Sequence, residues 1–246
     1  MATKKKDTTE LQSYTFHAKA LAAHFHFTDA SGADFGPEYA LAFHGRTPFK
    51  HKEKTGGHRH PEISFTHSWV HVITKQERGG VYTTIAKAGL KNWNVKGKVT
   101  ADEIEAGIMA VYREEWYGQS DRRRSPRILP LTPVIKNLKI GGKSYQLENL
   151  QLPEPFEFSE ARRKEYFAGE GPEIEPTGAA GARRFEIPDF GIVTLAEWKW
   201  LPREIHIHER TAQWVQLIGL ELRNPGSGGG GGASGGGSPY GTGPDG

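Results

Sequence analysis

Eleven histidines are the side chains best equipped for chemistry in this chain, and six form three His-x-His pairs: His24/His26, His58/His60 and His206/His208. On an extended strand, residues i and i+2 project from one face, so each pair can offer two imidazoles to one metal ion. A catalytic zinc, or an iron completed by a carboxylate, needs a third ligand from a neighbouring strand. His24, His26, His206 and His208 are the candidate ligand set, with Zn or Fe as the metal. Glu62 and Glu209 lie close in sequence to two of the pairs. The opposing argument is stronger. In HFHF and EIHIHE the apolar partners Phe25/Phe27 and Ile205/Ile207 claim the buried face, which turns the imidazoles toward water. The middle pair sits among Gly and Lys, whose charge repels a cation. Solvated histidines, with no cofactor, are therefore the expectation.

Other constellations weigh the same way. In ISFTHSWVHVI, His67 and His71 share a strand parity with Ile63, Phe65, Trp69 and Ile73, so a buried, hydrogen-bonded histidine is expected ahead of a ligand or general base. Trp198 and Trp200 share one strand face and form the best pair for stacking a sugar, but tryptophan buries so much area that the core is the default. The basic clusters Lys4–Lys6, Arg46–Arg59, Arg122–Arg127, Arg162–Lys164 and Arg183–Arg184 are interrupted by carboxylates and read as solvated loops and helix faces. A Walker loop, a G-x-G-x-x-G opening a helix, a G-x-S-x-G elbow and an H-E-x-x-H are all absent.

The elements that must position these residues read as mainly β. At 246 residues the chain suits one large domain, and a chain of this size buries roughly 70–75% of its unfolded surface. It contains no cysteine, which excludes disulfides, thiolate zinc sites, iron–sulfur clusters and a catalytic thiol. The formal net charge of +3 is too weak to argue for nucleic acid. No apolar run approaches a membrane span, and the basic N-terminus lacks the apolar core of a secretory signal. The default location is cytoplasmic, with signal-less export left open.

Residues 1–11 read as a disordered arm, 12–224 as a single β-rich domain and 225–246, PGSGGGGGASGGGSPYGTGPDG, as a flexible glycine-rich tail. Strands are expected over 14–28, 39–43, 63–74 and 81–88, with a basic loop from 44 to 61. Three strand-like runs between Phe185 and Leu222 are the stretch on which the chain is expected to pack, the last apolar on both faces. A hairpin is expected over 134–152, turning at Gly141-Gly142. The pattern predicts an amphipathic helix at 100–115, where Thr100 and Glu103 form a capping box and Ile104, Ile108, Val111 and Tyr112 a stripe. A second, short helix is expected at 159–167, capped by Ser159 and stopped by Gly169.

Two segments echo one another. Leu90-Lys91-Asn92-Trp93-Asn94-Val95-Lys96-Gly97-Lys98 and Ile135-Lys136-Asn137-Leu138-Lys139-Ile140-Gly141-Gly142-Lys143 both read apolar-Lys-Asn-apolar-polar-apolar before glycine and lysine. They are either a duplicated strand–turn unit or two independent turns. The C-terminal third, through Ile187-Pro188-Asp189-Phe190-Gly191-Ile192-Val193, Leu195-Ala196-Glu197 and the strand Trp214 to Leu222, resembles a set of uncharacterised bacterial proteins. The two Lys-Asn segments and Val99-Thr100-Ala101-Asp102 are also similar. That resemblance implies a β-rich fold and brings no activity or site residue with it.

The expected architecture is a two-sheet sandwich or distorted barrel. The expected function is that of a non-enzymatic binding or structural protein, through self-association or a protein partner, without membrane or nucleic acid. The rival readings are a metal-dependent enzyme and a carbohydrate-binding module.

Overall fold

Strand formers and period-two alternation govern the backbone from Ile63 to Arg113, and the chain there runs up and down in long antiparallel strands. The computed structural model describes residues 14, 16–25, 27–28, 34–35, 38–59, 61, 63–113, 115, 126–172, 174–176, 183–200, 213–222 and 229–233. First come β1 (Phe16–Phe25), β2 (Phe27–Thr28), β3 (Asp34–Phe35), β4 (Glu38–Gly45) and β5 (Phe49–Thr55). They are followed by β6 (His58–Arg59), β7 (Ile63–Phe65), β8 (His67–Glu77), β9 (Val81–Val95) and β10 (Val99–Arg113). Next are β11 (Arg127–Pro130), β12 (Val134–Lys136), β13 (Leu138–Ile140), β14 (Lys143–Tyr145) and the helices α1 (Glu154–Glu157) and α2 (Glu160–Ala168). The chain closes with β15 (Arg183–Ile187), β16 (Gly191–Trp200), β17 (Gln213–Leu222) and β18 (Gly229–Ala233).

A six-stranded sheet has the order β15-β16-β17-β18-β1-β4. A ten-stranded sheet follows the path β14-β13-β10-β9-β7-β6, with β11 and β12 also on β10, β8 on β9, and β5 on β8. All the described pairings are antiparallel, and the sheets do not close into a barrel. The two larger sheets lie against each other where β1 meets β8 and β9, β4 meets β8, and β10 meets β17. Alanines occupy much of this contact: Ala18, Ala20 and Ala22 on β1, Ala86 and Ala88 on β9, Ala106 and Ala110 on β10, all buried in one core. Small side chains let the backbones approach closely, while Leu90, Trp93, Ile104, Ile108, Leu195 and Trp198 supply the bulk of the apolar volume.

The expected helix at 100–115 is instead strand β10, paired with β9 from Val99↔Val95 to Arg113↔Val81. Ile104, Ile108 and Tyr112 are four residues apart, a spacing that falls on one face of a strand as well as of a helix. Ala106 and Ala110 complete the buried row. Glu103 does not cap a helix; it takes a bond from Lys136 Nζ at 2.6 Å. The short second helix forms as expected. The Ser159 hydroxyl accepts from Arg162 N at 3.2 Å, and Gly169, left-handed at φ 93°, ends α2. Arg163, buried, donates to the carbonyls of Phe158, Pro130, Pro155 and Phe156, which pins both helices to β11.

Two segments read as irregular carry strands. The basic loop of 44–61 contains β5, a full seven-residue strand on the edge of the large sheet. The glycine-rich tail contributes β18, which pairs with both β17 and β1.

A line of inversion crosses the large sheet. On β8, β9 and β10 the even-numbered residues face the core (Val70 and Val72, Ala86 and Ala88, Ile104 and Ala106). Beyond Thr66, Asn92 and Asp102 the odd ones do: Ile63 and Phe65, Trp93 and Val95, Val99 and Ala101. The same happens from β12 to β13, where Ile135 and then Leu138 are buried on either side of Asn137. Asn92 and Asn137 both have φ 52°, a left-handed conformation that asparagine tolerates better than most residues. Asn92 Nδ2 donates to Thr66 Oγ1 at 2.9 Å and Asn137 Nδ2 to Asp102 Oδ2 at 2.6 Å, so the inverted residues are tied strand to strand. Each echo segment then turns through two left-handed residues, Lys96-Gly97 and Gly141-Gly142, as a two-residue hairpin of type I′ requires. The two segments are the same strand–inversion–turn unit.

The six-stranded sheet inverts likewise at Ala196, φ 58°. Val193 and Leu195 are buried before it and Trp198 after it, opposite Leu220, Ile218 and Val215. The neighbouring strand β17 switches on the same rung, with Val215 and Leu217 and then Ile218 and Leu220 buried, which is why that run reads as apolar on both faces. Among the described residues, no helix is long and apolar enough to cross a membrane.

Candidate functional site

The inversion decides what faces outward. His67 and His71 were expected beside Ile63 and Phe65, but the break at Thr66 puts those two inside and leaves His67, Trp69, His71 and Ile73 on the opposite, outer face of the ten-stranded sheet, each partly exposed. Three ladder rows cross this face from β5 to β10. They are Lys50–Ile73–Ile85–Met109, Lys52–His71–Lys87–Gly107 and Lys54–Trp69–Gly89–Glu105. Two glycines make the middle of the face flat. A Cβ on Gly89 would lie 2.6 Å from the Trp69 ring and 2.7 Å from Ile104 O, so the indole lies directly on the backbone of β9. A Cβ on Gly107 would lie 2.9 Å from Lys87 Cγ, so that lysine's stem lies over β10.

Charge is distributed unevenly over this surface. On the β10 side lysines meet carboxylates: Lys87 Nζ to Glu105 Oε1 at 2.9 Å, Lys91 to Glu103 at 3.8 Å and Lys136 to Glu103 at 2.6 Å. The hydrogen bond from Lys136 holds the Glu103 carboxyl below its usual range, against an opposing effect of burial. On the β5 side Lys50, Lys52 and Lys54 are exposed, and among the described residues none has a carboxylate in ion-pair reach. Lys52 Nζ stands 5.7 Å above the centroid of Trp69, a cation–π distance. Glu53, the one acid of this strand, points the other way and lies 3.9 Å from His51.

His71 lies between the two charge regimes, opposite Lys52 on β5 and Lys87 on β9. Its Nε2 is inaccessible and has no hydrogen-bond partner among the described residues. Burial, then Lys52, Lys50 and Lys87, lower its pKa from the ordinary 6.5, with Glu105 opposing. These effects favour the neutral imidazole, so the row owes its basic character to its lysines.

The histidine pairs are placed as follows. His24 lies on β1 between Glu38 and Gly232, and nothing is described of its side chain. His26, His206 and His208 lie outside the described residues, as does His60. His58, on β6, is stacked 5.8 Å from the Phe65 ring. Among the described residues there is no group of three or more His, Asp or Glu side chains that could hold a metal ion. Trp198 is 1% exposed and donates from Nε1 to Gln213 Oε1 at 2.9 Å, so it has no open ring face for a sugar. The side chain of Trp200 is not among those described.

Lys50, Lys52 and Lys54 belong to the basic cluster Arg46–Arg59, for which a solvated loop is the expectation. In FKHKEKT a lysine stands at every second residue, but no apolar partner row marks the segment as a strand.

A family model described as a domain of unknown function, DUF8256, matches residues 14–171, from the aromatic residue ahead of β1 to just beyond α2. No curated protein and no solved structure matches.

Proposed function

We propose that this chain, which belongs to the DUF8256 family, is a non-enzymatic binding protein that recognises an anionic partner with the outer face of its ten-stranded sheet. The observation that carries this reading is the lysine row Lys50, Lys52 and Lys54, with no carboxylate in ion-pair reach among the described residues, set beside Trp69 and the half-buried Ile73, Ile85 and Met109. Exposed lysines alone are ordinary solubilising charge. Here they border a flat strip that combines a ring pinned on Gly89 with partly exposed aliphatics, which gives a partner both charge and apolar area to bury. The charge asymmetry favours a ligand seated toward β5, because the acids of β10 already occupy the lysines nearest them.

Self-association edge to edge through β5 is disfavoured on the same grounds. Two antiparallel copies centred on Lys52 would set Lys50 against Lys54 and Lys52 against its own copy, and like charges directly opposite are destabilising.

Fluorescence anisotropy tests the reading with three labelled probes at low salt: an oligo-glutamate peptide, polyphosphate and a single-stranded oligonucleotide. At least one is expected to bind, to weaken as salt rises, and to lose about tenfold in affinity in the K50E/K52E/K54E variant, an order consistent with several screened charge contacts. Absence of binding by all three probes, or equal binding by the variant, would falsify it.

A further inference from the structure

The edge of the same face defines how a partner can sit. Strand β5 pairs with β8 over all seven of its residues, from Phe49↔Thr74 to Thr55↔Ser68, and no described strand pairs with its other edge. An exposed edge presents a row of unpaired backbone N–H and C=O groups, a template for one more strand. Its inner-facing start is held in place: Phe49 stacks on Phe43 at 4.1 Å and donates from its backbone N to Thr74 Oγ1 at 2.8 Å. At the far end the Thr55 and Ser68 hydroxyls bond to each other. The edge is therefore paired without a bulge, anchored at both ends and free of proline.

We infer that β5 accepts an extended acidic peptide as an additional strand, with carboxylates at alternate positions set opposite Lys50, Lys52 and Lys54. This rests on the reading of the outer face as an anion-recognising surface and names the form its partner takes. Residues i and i+2 of a strand are about 7 Å apart on one face. An incoming strand has the same repeat, and directly opposed residues bring their Cβ atoms to about 5 Å. Every second side chain of the peptide thus meets a lysine while its backbone joins the ladder, the logic of strand addition in peptide recognition. Lysines on an edge ordinarily prevent pairing. They prevent it for neutral and basic strands, and an acidic strand turns the same charges into selectivity. On the reverse face, His51 and Glu53 already face one another, so the side chains pointing there need no charge.

The full-length protein is titrated with labelled nine-residue peptides: alternating Glu and Thr, the same composition with the glutamates in one block, and the alternating peptide N-methylated at every second backbone amide. The alternating peptide is expected to bind at least tenfold more tightly than the block or N-methylated forms, and to slow hydrogen exchange at amides within 49–55. If the three peptides bind equally, or an oligonucleotide binds and none of the peptides does, strand addition is overturned while the anionic reading stands. If no anionic probe binds, both are overturned. The N-methylated peptide leaves the protein unaltered, so the comparison holds even if a lysine variant fails to fold.

Discussion

At the scale of single residues, His71 shows how position replaces identity. The same imidazole on a solvated loop would be half protonated near pH 6.5, but here burial and the flanking Lys52, Lys50 and Lys87 favour its neutral form. With the folded-state pKa lowered, the unfolded chain binds the proton more readily. The stabilising contribution is then complete above 6.5 and is lost as pH falls through the lower folded value. The urea midpoint of the wild type is accordingly expected to drop more steeply below pH 6.5 than that of H71Q. Parallel profiles would show that His71 is not a destabilising titration. Alternation along the sequence puts His71 on one strand parity with Trp69 and Ile73, as the structure does. It could not reveal that Ile63 and Phe65, of the same parity, lie on the other side of an inversion at Thr66.

At the scale of elements, the strand β10 and the two asparagine units are the informative cases. Val99 to Arg113 carries apolar residues every four positions, which helix and strand share, so local pattern left the choice open. Pairing with β9 along its whole length decides it. The echo between 90–98 and 135–143 was visible as letters, and its meaning is the left-handed asparagine that precedes each tight turn. N92A and N137A are each expected to cost about 1 kcal/mol, because alanine tolerates the left-handed conformation less well than asparagine does. N92G and N137G should recover most of it even though the bonds to Thr66 and Asp102 are gone. Equal losses for Ala and Gly in urea denaturation would assign the effect to the side-chain bond instead. The basic segment 44–61 reads as a loop for the converse reason. An edge strand whose five central residues are all exposed has no apolar alternation to betray it, only the alternation of its lysines.

At the scale of the molecule, the family match and the core do not end at the same place. The match stops at residue 171, yet β1 and β4, inside it, belong to a sheet whose other four strands lie beyond it. Val193, Leu195, Trp198, Val215, Leu217 and Ile218 share one core with Ala18, Ala86, Ile104 and Ile108. A fragment ending at Gly171 would open that core to water, so it is expected to lose cooperative thermal unfolding and to aggregate, while the full chain melts in one transition. A fragment with the sharp melt and midpoint of the full chain would show that the matched segment folds alone.

The amino-acid sequence by itself determined the features whose cause is local: β-rich composition, the cap and stop of α2, the glycine turns and the absence of any thiol. These depend on interactions within a few residues, and the chain carries them wherever it goes. Only the tertiary structure decided which side of each strand is inside, because inverting a strand is tolerable only when its neighbours invert on the same rung. It alone placed β5 where no described strand pairs with its second edge, and set its lysines beside Trp69 and His71, since strand order is fixed by pairings far apart in sequence.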